Sequence, residues 1–216
     1  MLQFITHRSG GHDELSGAEA VLKGGCRWVQ LRMKEASDEE FLSVGRRLAE
    51  MCRHYGARLI LDDRVHLVGP LGADGVHLGR NDMPVSEARR RLGGGCIIGA
   101  TANCFEDIAA AAGQGADYIG LGPFRFTQTK QKLSPLLGLE GYRKVMSECR
   151  DAGTGLPVVA IGGITSEDVA QIMESGVDGV AVSGALLRAP DTEAETRHIL
   201  SELGRFDTSA WLSVQH

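Results

Sequence analysis

Eight short runs of β-branched and aliphatic residues recur along the chain, at Leu2–Thr6, Trp28–Arg32, Leu59–Asp63, Gly75–Leu78, Ile97–Thr101, Tyr118–Gly122, Val158–Ile161 and Gly179–Ser183. Amphipathic stretches lie between them, at residues 38–54, 86–92, 104–113, 139–149, 166–175 and 193–203. This alternation predicts βα units and a parallel sheet, because parallel neighbours need a long, usually helical crossover. In residues 38–54, Phe41, Leu42, Val44, Leu48 and Met51 roughly share one face, and Ser37 followed by Glu40 resembles a capping box. Eight units in 216 residues leave about 27 each, the small end of the range for a closed barrel of eight parallel strands. An open doubly wound sheet is the main rival.

A repeat favours the barrel. G-A-D-G-V-H-L-G, G-A-D-Y-I-G-L-G and G-V-D-G-V-A-V-S-G begin at Gly72, Gly115 and Gly176, each with a Gly to end a helix, then Asp, then an apolar strand. The expected fold is therefore α/β, a single (β/α)8 TIM barrel over residues 1–204. Residues 205–216 are expected to form a tail whose Trp211 and Leu212 suit packing or a homo-oligomer contact.

Gly makes up 29 of the 216 residues, without a G-X-Y period and beside 43% apolar residues, so the surplus belongs to an ordered fold. A net charge of −5 argues against binding nucleic acid through a basic field. No apolar run approaches the roughly 20 residues that span a bilayer. The start, MLQFITHRSGGHDE, has no basic region followed by a long apolar one, so a cytoplasmic location is expected. Five cysteines without a CxxC pair fit neither a disulfide framework nor a zinc site and read as idle thiols.

In such a barrel the chemistry sits at the C-terminal strand ends. Gln30, Arg32 and Lys34 alternate with Val29, Leu31 and Met33, so a period of two places an amide and two cations on one face, an anion site. Asp63 and Asp82 follow two adjacent strands and could share one Mg²⁺, which takes few carboxylates and completes its shell with phosphate and water. Asp82 precedes Met83-Pro84 and suits a helix N-cap equally well. Thr101 and Asn103 end the fifth strand. A long loop, 123–135, carries Thr127, Gln128, Thr129 and Lys130 after the sixth, and long loops in compact barrels usually bind or cover something. Gly162-Gly163 and Ser183-Gly184 end the seventh and eighth strands, where backbone N–H groups often meet a phosphate. His77 lies within a strand with no assignable carboxylate partner and reads as a structural histidine. Neither G-x-S-x-G nor G-x-G-x-x-G is present.

Taken in order, Q-L-R-x-K at Gln30–Lys34, L-D-D-R at Leu61–Arg64, D-G-V-H-L-G with Asp82 beyond it, G-A-D-Y-I-G-L-G-P-F, T-x-T-K at Thr127–Lys130 and A-I-G-G-I at Ala160–Ile164 resemble the thiamine phosphate synthase family. The resemblance runs from about Gln3 to Leu187. It implies a Mg²⁺-dependent transferase that joins a pyrimidine diphosphate (4-amino-2-methyl-5-hydroxymethylpyrimidine diphosphate) to a thiazole phosphate, releasing pyrophosphate. Arg32, Lys34, Lys130 and Thr101 would then do the catalytic work. Gln30, Asp62 and the neighbouring Leu31 and Met33 would lie on the diphosphate side. Thr127, Gln128 and Thr129, with Gly163, Ser183 and Gly184, would hold the thiazole phosphate, and Asp63 and Asp82 the metal.

Three positions depart from the family. Asp62 stands where Asn is common, Thr101 where Ser is common, and Asn103 where relatives often carry His. Those relatives include the thiazole tautomerases, whose proton transfer Asn103 could not perform. A tautomerase-like protein and a non-catalytic phosphate-binding barrel are the alternatives.

Overall fold

The computed structural model describes residues 1–126 and 135–206. Eight parallel strands close in sequence order: β1 (Leu2–Ile5), β2 (Trp28–Leu31), β3 (Arg58–Asp62), β4 (Gly75–Leu78), β5 (Ile97–Ala102), β6 (Tyr118–Leu121), β7 (Val158–Ile161) and β8 (Gly179–Val182). The pairing of β1 with both β2 and β8 closes the ring, so the barrel is borne out against the open sheet. The helices around it are α1 (Glu14–Lys23), α2 (Asp38–Tyr55), α3 (Val68–Leu71), α4 (Val85–Leu92), α5 (Phe105–Gly113), α6 (Gly138–Asp151), α7 (Val169–Met173), α8 (Gly184–Leu187) and α9 (Thr192–Leu203).

Strand alternation divides the apolar residues between two cores. Ile5, Trp28, Ile60, Ile97, Tyr118, Val159 and Ala181 fill the barrel. Leu31, Leu61, Val76, Ile98, Ile119 and Val180 face outward and pack with helix residues such as Phe41 and Leu48.

The repeated Gly-x-Asp turn has a structural reason. Gly72, Gly115 and Gly176 have φ of +57°, +90° and +96°, which a side chain would strain. Each following Asp then secures the start of the preceding strand: Asp74 accepts from the Leu59 N–H at 2.8 Å, Asp117 from Ile98 at 2.7 Å and Asp178 from Val158 at 2.8 Å. These N–H groups stand at the foot of the barrel and need an acceptor. Asp117→Ala, which also strips Arg89 of its ion partner, is expected to lower the unfolding free energy by about 1–3 kcal/mol. Urea unfolding checks this, and an unchanged midpoint would contradict it.

Several expected boundaries move. β1, β2, β3, β6 and β8 stop one residue short of the expected runs, leaving Thr6, Arg32, Asp63, Gly122 and Ser183 just past their strand ends. Residues 166–175 form a 3-10 turn leading into the short α7 rather than one helix. Helix α1 was not expected, because its cap is Asp13 with Ser16 rather than the S-x-x-E pattern and Gly17 interrupts its apolar face. That glycine is required by packing: a Cβ there would stand 2.8 Å from a Leu187 methyl. At α2 the Ser37 hydroxyl accepts from the Glu40 N–H at 3.2 Å, the first half of the expected box. All five cysteines are free thiols. Among the described residues no helix is long and apolar enough to cross a membrane. Trp211 and Leu212 lie outside the described residues.

Candidate active site

A cavity of about 1500 Å³ opens at the C-terminal ends of the strands, lined by residues from all eight βα segments. Of the expected site residues it brings together Gln30, Arg32, Lys34, Asp62, Asp63, Asp82, Thr101, Gly163, Ser183 and Gly184. Leu31 and Met33 do not reach it. They alternate with the cavity-facing residues and are buried in the outer core, Leu31 near enough to Gly45 that a Cβ there would touch it at 3.5 Å. Thr127, Gln128, Thr129 and Lys130 lie outside the described residues.

At the ends of β2 and β3 the polar groups hold one another. Gln30 Nε2 donates to Asp62 Oδ1 at 2.7 Å, and Arg32 Nε lies 3.6 Å from Asp62 Oδ2. Burial pushes the Asp62 carboxyl up to about 6, with Arg32 opposing the shift and Asp63 and Asp82 adding to it. Among the described residues the buried Gln30 Oε1 and Ser183 Oγ have no hydrogen-bond partner. Both belong to cavity-lining residues, and unsatisfied buried polar atoms are costly unless a ligand or water meets them.

Strict alternation would turn Asp63 away from the cavity. Its backbone instead takes φ +57°, held by Asp63 N–H donating to His77 O at 3.0 Å and Arg64 N–H to Asp62 O at 2.9 Å. The reversal lets two adjacent carboxylates line one wall, and strain of this kind is characteristic of functional positions. Burial and then Asp82 raise the Asp63 carboxyl, against Arg64, Lys34 and Arg32. Asp82 is not the cap of α4, since that position belongs to Pro84. Its Oδ2 accepts instead from the Gly79 N–H at 2.5 Å, closing a turn that holds the carboxylate at the cavity rim.

The opposite wall is backbone-rich. Gly162 and Gly163 have φ of +101° and +73°, and a Cβ on Gly163 would strike Arg125. A Cβ on Gly184 would strike the Arg188 guanidinium, which also borders the cavity. Sequence reasoning missed Arg188 and His7, whose imidazole is lowered by burial, Arg32 and Arg188. Asn103 serves the loop: its Nδ2 donates to Gly122 O at 3.0 Å and Pro135 O at 2.9 Å.

The buried carboxyl gives a pH test. Asp62 holds its proton more tightly folded than unfolded, so folding loses stability as pH rises from about 4, the unfolded value, to about 6. Asn at this position does not titrate. The stability of Asp62→Asn relative to wild type, in chelator and without substrate, is expected to rise by about 2–3 kcal/mol between pH 4 and pH 7. A pH-independent difference in urea unfolding would contradict this.

The fold and the cavity define a (β/α)8 barrel whose strand ends carry cations, carboxylates and glycine-rich backbone around one chamber. A family model described as thiamine monophosphate synthase matches residues 2–186. A thiamine-phosphate synthase of Bacteroides fragilis is 55% identical over 200 residues, 93% of this chain and 98% of that protein. One of Flavobacterium psychrophilum is 42% identical over 188 residues, 87% and 91% of the two chains. The solved thiamine phosphate pyrophosphorylase of Pyrococcus furiosus superposes with a TM-score of 0.83 at 34% identity, covering 94% of this chain and 95% of that one. The chain belongs to the thiamine monophosphate synthase family and is a transferase.

Proposed function

We propose that the chain joins 4-amino-2-methyl-5-hydroxymethylpyrimidine diphosphate to thiazole phosphate, forming thiamine phosphate and pyrophosphate, and that it needs Mg²⁺ to do so. The observation that carries this reading is the shared cavity: Gln30, Arg32 and Lys34 line it from β2 and the residues just after it, Asp63 and Asp82 from beyond the ends of β3 and β4, and the glycine-rich ends of β7 and β8 from the other side.

The bond between the pyrimidine methylene carbon and the diphosphate oxygen breaks, and its electron pair leaves with pyrophosphate. The lone pair of the thiazole nitrogen then forms the new C–N bond to the resulting cation. No proton needs to move and no protein nucleophile is required. The task of the protein is to stabilise charge as it develops on the leaving oxygen. Arg32 and Lys34 meet that charge, Gln30 orients the diphosphate, and Thr101 contacts the pyrimidine or its leaving group. Thiazole phosphate is assigned to the backbone of Gly163 and to Ser183 and Gly184. Thr127, Thr129 and Lys130 join these groups on the strength of the T-x-T-K motif alone.

Asp63 and Asp82 suit Mg²⁺. Burial and then the Asp82 charge raise the Asp63 carboxyl, and a cation would relieve the repulsion between the two. Among the described residues no three His, Cys, Asp or Glu side chains form a metal cage, while Mg²⁺ needs only one or two carboxylates beside phosphate and water. When bound, it would supply charge neutralisation on the diphosphate.

Incubation of the chain with both substrates is expected to yield thiamine phosphate with Mg²⁺ and little in chelator. Absence of product at saturating substrate and Mg²⁺ would contradict the reading, and thiazole phosphate binding without turnover would identify a binding barrel instead.

A further inference from the structure

We propose that His77 is a positioning residue that sets the Thr101 hydroxyl as a hydrogen-bond donor into the cavity, at the end of a buried polar chain that begins at Gln3. The inference rests on the reading of Thr101 as a substrate contact. Gln3, Tyr118 and His77 are 2%, 0% and 6% exposed, so their hydrogen-bonding choices are made inside the barrel. Gln3 Nε2 lies 3.2 Å from Tyr118 Oη. An amide nitrogen only donates, so the phenol oxygen accepts there. The phenol hydrogen is proposed to go to His77 Nδ1, 3.0 Å away. A neutral imidazole that accepts at Nδ1 carries its proton on Nε2, and Nε2 lies 3.0 Å from Thr101 Oγ1. Thr101 therefore accepts from His77, and its own hydrogen turns into the cavity that it lines.

The barrel makes room for this chain with glycines. A Cβ on Gly99 would collide with the Tyr118 ring, and one on Gly120 would stand 3.0 Å from His77 Cε1. Trp28 packs edge-on against Tyr118 with centroids 4.8 Å apart, which holds the phenol in place. The ligand atom facing Thr101 is thus a hydrogen-bond acceptor, such as a ring nitrogen or a phosphate oxygen.

Nitrogen NMR of the imidazole in the intact wild-type chain reads the tautomer without substrate. The expected result is an unprotonated Nδ1 and a protonated Nε2 for His77; the opposite tautomer, or a doubly protonated ring at neutral pH, would overturn the proposal. A double-mutant cycle then tests the link to Thr101. Tyr118→Phe is expected to lower kcat/KM for thiamine phosphate formation about tenfold, and to cost less than about twofold when Thr101 is already Val. Equal losses in both backgrounds would make Tyr118 and His77 merely structural and overturn the proposal. If wild type forms no thiamine phosphate, the proposed function fails, and the tautomer still decides this inference.

Discussion

Asp63→Asn is expected to lower kcat for thiamine phosphate formation by about 10²-fold or more and to raise the Mg²⁺ concentration that gives half-maximal activity. Asn is the informative replacement because Asp63 sits at φ +57°, where Asn is among the few side chains tolerated and Ala costs about 1–2 kcal/mol. The fold therefore stays while a charged oxygen is lost. In the alanine pair, Asp63→Ala is expected to lose more activity than Asp62→Ala. Asp62 is engaged by Gln30 and Arg32, whereas Asp63 and Asp82 are the carboxylates assigned to the metal. Equal activities in steady-state assays would remove Asp63 from the metal shell.

Arg32→Ala is expected to cost about 10²–10³-fold in kcat/KM, since a preorganised cation aimed at a leaving phosphate is worth several kcal/mol in a water-poor site. Arg32→Lys should recover only part of this, because an ammonium lacks the planar fork that meets two phosphate oxygens. The Arg32 side chain is only 14% exposed and lies beside Asp62, so its removal also leaves a buried carboxylate without its cation. Combining Arg32→Ala with Asp62→Asn separates the two effects: stability should return while turnover does not. Recovery of activity in the double variant would assign Arg32 to folding instead.

The barrel was legible because its signal is local and repeated. Eight apolar runs with helical spacers, and three Gly-x-Asp turns, restate one unit, and backbone geometry demands each of those residues. Gln30, Arg32 and Lys34 were legible as a face for the same reason, since alternation is a property of any strand. The same rule placed Leu31 and Met33 on the opposite face, where they are in fact buried, although the family motif had drawn them into the site. Asp63 shows where alternation stops: its reversed φ goes with a bond to His77 of β4 that no local pattern encodes. Asp82 suited a helix cap by its nearness to Pro84, yet it closes a turn onto Gly79. Helix α1 escaped notice because its interruption, Gly17, answers to Leu187 far along the chain.

The glycine surplus was only half legible. Turn glycines and strand-end glycines can be read from their neighbours. Gly99 and Gly120, in mid-strand, make sense only once Tyr118 and His77 are seen to occupy the space their side chains would fill. His77 read as a structural histidine for want of a carboxylate; among the described residues its ring nitrogens meet hydroxyls from other strands. Arg188 and His7 reach the cavity from opposite ends of the chain, and no motif joins them.

The most direct test is a crystal structure of the chain with Mg²⁺ and pyrophosphate. The account predicts the anion against Gln30, Arg32 and Lys34, with a metal ion bridging it to Asp63 and Asp82. Pyrophosphate bound away from the β2 end, or a metal that leaves both carboxylates untouched, would contradict it.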